Sequence, residues 1–397
     1  SDANSNNAYT ISISADDAAV SASDLNAIND LTSIAVNLAN VNSITASDFT
    51  DLTTLNANRD EFSNINGIAA ITVSDNGGGA ESVDYGTLET IIDNYQTNFN
   101  SSAVFSFQSG DTIVIDSASE LSAFLADVAS GALVLTNQSV TIDSSSPITV
   151  SQANDIDVLT EGTITASIDT DSTVDNLVNL TGTNAYTIVI NAVDATISTA
   201  AQLNTIDEAT SVPVDASAIT DISGDYTDIT DLYNSGVSGL GDEAILITDE
   251  LTVTQANILD DLTTGVITAT IGSTRVSDLL GSASLSDANS NNAYTISISA
   301  DDALVSASEL VSTTSLTSSP VIINNVTDIT SSSILDFQEF LSAIDGNEFG
   351  DQIGAPNSRV LSSVTLSDET IDATDLDDII GSIDSIYGVV TTEIKLP

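Results

Sequence analysis

The chain has 397 residues, of which 58 are acidic and only four basic (Arg59, Arg275, Arg359 and Lys395), and its formal charge is −54. It contains no Cys, His, Met or Trp, so His- and Cys-based catalytic triads, zinc sites, iron–sulfur clusters and haem ligation are excluded. Four cations cannot line a groove for phosphates, so no nucleic-acid partner is expected.

Taken in chain order, Tyr9-Thr10-Ile11-Ser12-Ile13 alternates apolar and polar residues and predicts a strand. Leu25, Ile28 and Leu31 follow Ser23 at helical spacing and predict a helix over 23–31. Phe49, Leu52 and Leu55 follow Ser47 in the same way and predict a helix over 47–55. Val104–Phe107 and Ile113–Ile115 read as strands, and Leu121, Leu125 and Val128 place a helix over 119–129. Alternation returns at Thr187–Ile190, Ile245–Ile247 and 293–298. A last helix is expected over 374–384 from Leu376, Ile379 and Ile383, followed by a strand-like apolar stretch at Val389–Ile394. Ser, Thr and Asp before the helices are cap residues, and acidic first turns suit the helix dipole.

Internal repeats decide how these elements combine. Residues 1–25 and 286–310 differ only at Ala19/Leu304 and Asp24/Glu309. The phrase Asn-Ala-Tyr-Thr-Ile recurs at Asn184–Ile188, and residues 148–168 resemble 251–271. Beneath these lies a finer motif, an aliphatic residue followed by a polar cap and then Leu, Ile or Phe, with many steps of about 24 residues. A short strand and a short helix cannot bury an apolar face alone, whereas stacked copies can.

The expected fold is therefore an α/β repeat. It is an elongated solenoid of short parallel strands and short helices, in coils of about 24 residues that look like those of leucine-rich repeats. It departs from that pattern in lacking an LxxLxLxxN line and a regular Asn ladder. One continuous array over 1–397 is expected, with sub-modules near 1–147, 148–250, 251–345 and 346–397. Stretches 9–14, 185–190 and 293–298 should be equivalent strands of one ladder. The competing fold is a string of β-sandwich modules of about 105 residues each, which explains the larger repeat and not the finer one.

Calcium is the one ligand the residues argue for, because carboxylates and carbonyls are hard oxygen donors. The candidate ligands are Asp2, Asn4 and Asn6 with their copies Asp287, Asn289 and Asn291, the strand-end pairs Asp16 and Asp17, Asp301 and Asp302, and the turn residues Asp169 and Asp171. Asn7 and Asn292 replace the turn glycine of an EF-hand loop, and no Glu stands at its twelfth position, so an EF-hand is excluded. The Asp-x-Asn-x-Asn segments also read as polar turns leading into strands. The adjacent pairs Asp260-Asp261 and Asp377-Asp378 diverge on a helix and make no hydrolase dyad. No catalytic residue and no other cofactor is expected.

The Asn-Ala-Tyr-Thr-Ile, Val-Ser-Ala-Ser-Asp-Leu and Ile-Thr-Val-Ser-Gln-Ala-Asn phrases resemble very large acidic repeat proteins of bacterial surfaces, including secreted adhesins of marine cyanobacteria. That resemblance implies an extracellular or cell-surface location and a structural or adhesive role. The expected function is a subunit or segment of a self-associating filament, sheath or surface layer, with head-to-tail contacts between copies. The alternative is the stalk or binding segment of a giant secreted adhesin whose partners include cell-surface glycans. No apolar run approaches the ~18 residues of a membrane span, so direct insertion is not expected.

Overall fold

A computed structural model describes residues 7–74, 82–108, 110–194, 198–282, 284–286, 292–350, 362–368, 372–387 and 393–395. The fold is α/β, with short strands alternating with thirteen α-helices among the described residues. The chain divides into two compact units, residues 1–189 with 206–214, and residues 190–205 with 215–397.

In the first unit one sheet runs Ala19–Val20, Ser43–Ser47, Ala70–Val73, Val104–Phe107 in spatial order. A second sheet runs Ala185–Thr187, Ile164–Ser167, Ser139–Ile142, Thr112–Ile115, Ser82–Asp84, and Val36–Asn37 pairs with Phe62–Ser63. The second unit holds two four-stranded sheets. One runs Asp221–Gly224, Ala244–Leu251, Ile267–Thr274, Ala293–Ile298, and the other Leu304–Val305, Asp328–Ser332, Ser363–Leu366, Glu393–Lys395. Every strand pairing among the described residues is parallel. Parallel neighbours need a crossover, and the helices supply it. This arrangement sets aside the β-sandwich alternative, whose sheets are antiparallel.

The core follows from the sequence pattern. Strand residues of matching register, such as Ile245, Ile267 and Ile113 with Val140, are fully buried or nearly so. The helices bury one stripe against them: Leu25, Leu52 and Leu55, Leu121 and Phe124, Ala256 and Leu259. Their N-termini are closed by polar side chains. Ser21, Asp48, Ser117, Thr149, Thr252, Ser306 and Ser333 each accept the backbone N–H three residues on.

Two expectations are corrected. The stretches 9–14, 185–190 and 293–298 do not form one ladder. Ala293–Ile298 is a six-residue strand, Ala185–Thr187 lies in a sheet of the other unit, and Tyr9–Ile13 has only the isolated bridge Ser12 to Asn37. Among the described residues the first copy has no partner strand on its other side, and a strand exists only as one side of a pair. The helix expected to start at Ser47 starts at Phe49 with Asp48 as its cap, while Ser47 ends the preceding strand.

Strand-side crowding gives a direct test. A Cβ added to Gly162 would collide with the backbone carbonyl of Gln138, and one added to Gly265 with that of Glu243. These two glycines occupy matching places after the helices Val150–Asp157 and Val253–Asp260, where adjacent segments come closest. Gly265→Ala is expected to lower unfolding stability by about 1–3 kcal/mol through forced backbone displacement. Ala substitution at open Gly241, whose φ is +134°, tests backbone strain without any collision. Denaturant unfolding followed by circular dichroism reads both.

Candidate functional site

The chemistry of this chain is concentrated where one strand–helix segment meets the next. Three rows of polar side chains bridge these junctions. In the first, a threonine just past a helix donates its hydroxyl to a carbonyl of the preceding segment and accepts an N–H two residues on. Thr32 donates to the Tyr9 carbonyl at 2.6 Å, Thr210 to Tyr186 at 2.7 Å, Thr263 to Glu243 at 2.8 Å and Thr317 to Tyr294 at 2.8 Å. Thr160 donates to Gln138 in the same way. The N–H groups of Ile34, Gly162, Val212, Gly265 and Ser319 complete the motif.

The second row is asparagine. Asn26, Asn154, Asn204 and Asn257 all stand at the same helical position, and each donates from Nδ2 to a backbone carbonyl 24–27 residues later, at 2.8–3.0 Å. Asn154 and Asn257 also accept from the backbone N–H groups of Thr181 and Ser286. Four of the thirteen described helices carry this asparagine and no two of them are consecutive, so the bond recurs without forming a continuous ladder; the sequence reading, which looked at the leucine-rich-repeat position, missed it. The spacing of a cap residue followed five positions later by Asn would have revealed it.

The third row closes helix N-termini from the next segment. The first helical N–H groups of Ala22 and Ala307 donate to Ser47 and Ser332 Oγ, each at 2.8 Å. Those of Tyr226, Val276 and Ile334 donate to the carboxylates of Asp249, Asp302 and Asp368 at 3.0, 2.6 and 2.7 Å. These N–H groups have no partner inside their own helix, so an oxygen from the adjoining segment both satisfies them and ties the two together.

The most elaborate junction is built twice. Asn184 and Asn292 are buried, and each Oδ1 accepts the backbone N–H of the preceding strand, from Ile164 at 2.9 Å and Ile267 at 2.8 Å. Each Nδ2 donates to a helix-end aspartate, Asp157 or Asp260, at 2.8 Å and contacts the hydroxyl of the fully buried tyrosine two residues on, Tyr186 or Tyr294. The helices that supply these aspartates share the order Thr-Val-x-Gln-Ala-Asn-x-x-Asp. Gln closes the capping box, Asn holds the backbone of the next segment and Asp holds its Asn.

The candidate calcium ligands have mixed placements. Asp2, Asn4, Asn6, Asp287, Asn289 and Asn291 lie outside the described residues. Asp301 accepts from the Arg275 guanidinium at 2.6 Å, and Asp302 caps Val276. Asp169 accepts the Asp171 N–H at 3.0 Å, which makes a tight turn of its own chain. Asp16 and Asp17 sit exposed on a single 3-10 turn. Among the described residues no three acidic side chains group around a common point for a metal ion. No described helix is long and apolar enough to cross a membrane. Comparison with known protein families and with curated proteins returned no match.

The junctions predict a contrast between identical residues. Asn292→Ala strands a buried N–H and a buried carboxylate, so it should cost about 1–3 kcal/mol. Asn7→Ala, in the same phrase but only partly buried, should leave stability within about 0.5 kcal/mol. Equilibrium denaturation of both variants measures the difference.

A pH dependence follows as well. Burial raises the carboxyl pKa of Asp127, and burial followed by neighbouring acids raises those of Glu89, Asp51 and Asp228. In the folded state these groups hold protons at a pH where the unfolded chain has released them, so stability increases as pH falls from neutral into that window. Hydrogen bonds from Ser145, Ser217 and Thr374 hold Asp143, Asp215 and Asp372 below the usual carboxylate range, and that contribution is lost only on further acidification. Stability should thus be greater near about pH 5 than at about pH 8, at matched ionic strength, and should fall again in stronger acid. Thermal melts across pH check the sign.

Proposed function

We propose that this chain is a non-enzymatic, extracellular structural protein, a self-associating element of a filament, sheath or surface layer. Its strand–helix segments stack in one solenoid of leucine-rich-repeat-like coils. The observation that carries this reading is the recurrence of the junction bonds: threonine, asparagine and helix-closing rows reach the adjoining segment again and again, at separations of 20–27 residues in most cases. Such bonds serve continuity of an array. Stacking by nearest-neighbour contacts also explains how so acidic a chain keeps a core.

Copies join head to tail in this reading. Contact between different surfaces of identical molecules propagates instead of stopping at a dimer. The strong like charge keeps the flanks of neighbouring molecules apart. Calcium remains part of the proposal at the two Asp-x-Asn-x-Asn segments, residues 2–6 and 287–291. The chain should show concentration-dependent assembly by sedimentation velocity and end-to-end strings by electron microscopy, and chelator should weaken assembly relative to millimolar calcium at matched ionic strength. Monodisperse molecules at every concentration would point instead to the stalk of a secreted adhesin. Identical behaviour with and without calcium would remove the ion and leave the assembly.

A further inference from the structure

Two copies of one phrase stand in different surroundings, and the difference identifies an interaction surface. Residues 7–18 and 292–303 have the same sequence. In the second copy, Ala293–Ile298 is a strand paired along its outer side with Ile267–Thr274, and Tyr294 is fully buried. Asn292 is held by Ile267 N–H and Asp260, Asp301 by Arg275, and Asp302 by the N–H of Val276. On the inner side a single bridge joins Ser297 to Ile322.

In the first copy only the inner side is made. Ser12 bridges to Asn37 as Ser297 does to Ile322, and Thr32 donates to the Tyr9 carbonyl as Thr317 does to Tyr294. The outer side has no partner strand among the described residues. Tyr9 is 53% exposed where Tyr294 is 0%, and Asp16 and Asp17 are exposed without the cation and helix N–H that their copies hold. The third phrase, at Asn184–Tyr186, is seated like the second, on a helix carrying Asp157. Two of three phrases are therefore covered by a segment of one chemical type, and the remaining one presents the same groups to solvent.

We infer that the edge formed by Asn7, Tyr9, Ile11, Asp16 and Asp17 is an acceptor for one further strand–helix segment of the kind at residues 252–276. The partner is defined by its chemistry. It brings a parallel strand whose N–H meets Asn7, a helix-end aspartate for the Asn7 amide, and a basic residue directly after the strand. The basic residue faces Asp16, and the helix N–H that follows it faces Asp17. Tyr9 fills the space between, and residues 8–13 become a full strand only when the segment arrives. This rests on the stacked-repeat reading and adds to it the identity of the partner.

The test appends a copy of residues 251–285 ahead of Ser1 in the full chain. Because the chain has no Trp, Tyr9→Trp supplies a single reporter at an exposed position. At dilute concentration the extended protein should show blue-shifted emission and severalfold weaker acrylamide quenching than the unextended one. A second extension, carrying the changes Asp260→Ala and Arg275→Glu within the appended copy only, should restore much of the quenching. The body of the chain is unaltered in both, so its far-ultraviolet circular dichroism reports folding independently. A reporter that stays water-exposed, or that is shielded equally by both extensions, overturns the acceptor edge. The stacked-repeat reading fails separately, if Asp260→Ala within the unextended chain leaves its stability unchanged.

Discussion

Satisfaction of backbone polar groups by side chains of the adjoining segment is the interaction on which this protein depends. A chain with 58 acids and four bases cannot hold adjoining parts together by ion pairs. The described ion pairs are Arg59 with Asp60 and Arg275 with Asp301, both on the surface, where such pairs contribute little. Threonine hydroxyls, asparagine amides, serine hydroxyls and single carboxylates that accept N–H groups do the joining instead. Each bond contributes only about 1 kcal/mol net, but their loss would leave buried N–H and C=O groups unpaired at a greater cost. The aliphatic core supplies the drive to pack, and the polar rows set the register in which packing occurs.

Register matters because the apolar face is nearly uniform. Ile, Val and Leu recur at matching strand positions, so a slip of one segment against the next would still bury aliphatic surface. It would not, however, return Asn292 to Ile267 N–H and Asp260, or Thr263 to the Glu243 carbonyl. The buried asparagines act as a positional code in an otherwise degenerate interior. Gly162 and Gly265 are a local variant of the same device: at these two junctions a Cβ would collide with the backbone of Gln138 or Glu243, whereas Ile34, Val212 and Ser319 take the same place at others.

Helices were legible because their information is local. The apolar spacing after Ser23, Ser47 and Ser119 identifies the buried face and places each start within two residues of the observed Ala22, Phe49 and Ala118. Strands were legible as alternation but not as pairing. Tyr9–Ile13 and Tyr294–Ile298 are the same five residues, and only the second is part of a continuous strand, because a neighbour decides it. The acidic pairs misled for the same reason. Asp301 and Asp302 look like bare charge in sequence, whereas their partners, Arg275 and the N–H of Val276, lie 26 residues earlier. The four helix asparagines were readable in principle from their constant offset after the helix cap, but they lie on helices and not at the strand turn where a leucine-rich repeat places its asparagine.

The division of labour between hydrogen-bonded junctions and a charged exterior gives the protein two energies with opposite responses to salt. Hydrogen bonds among amides, hydroxyls and backbone are nearly indifferent to ionic strength. Repulsion among surface carboxylates is not, and at about 1 M salt its range contracts to roughly 3 Å. Raising salinity therefore relaxes the strain on the fold while leaving its fastenings intact. In dilute water the same molecule is held by the same bonds against its full self-repulsion. Among the described residues no ion pair lies in the interior, so added salt removes none of the bonds that join one segment to the next there.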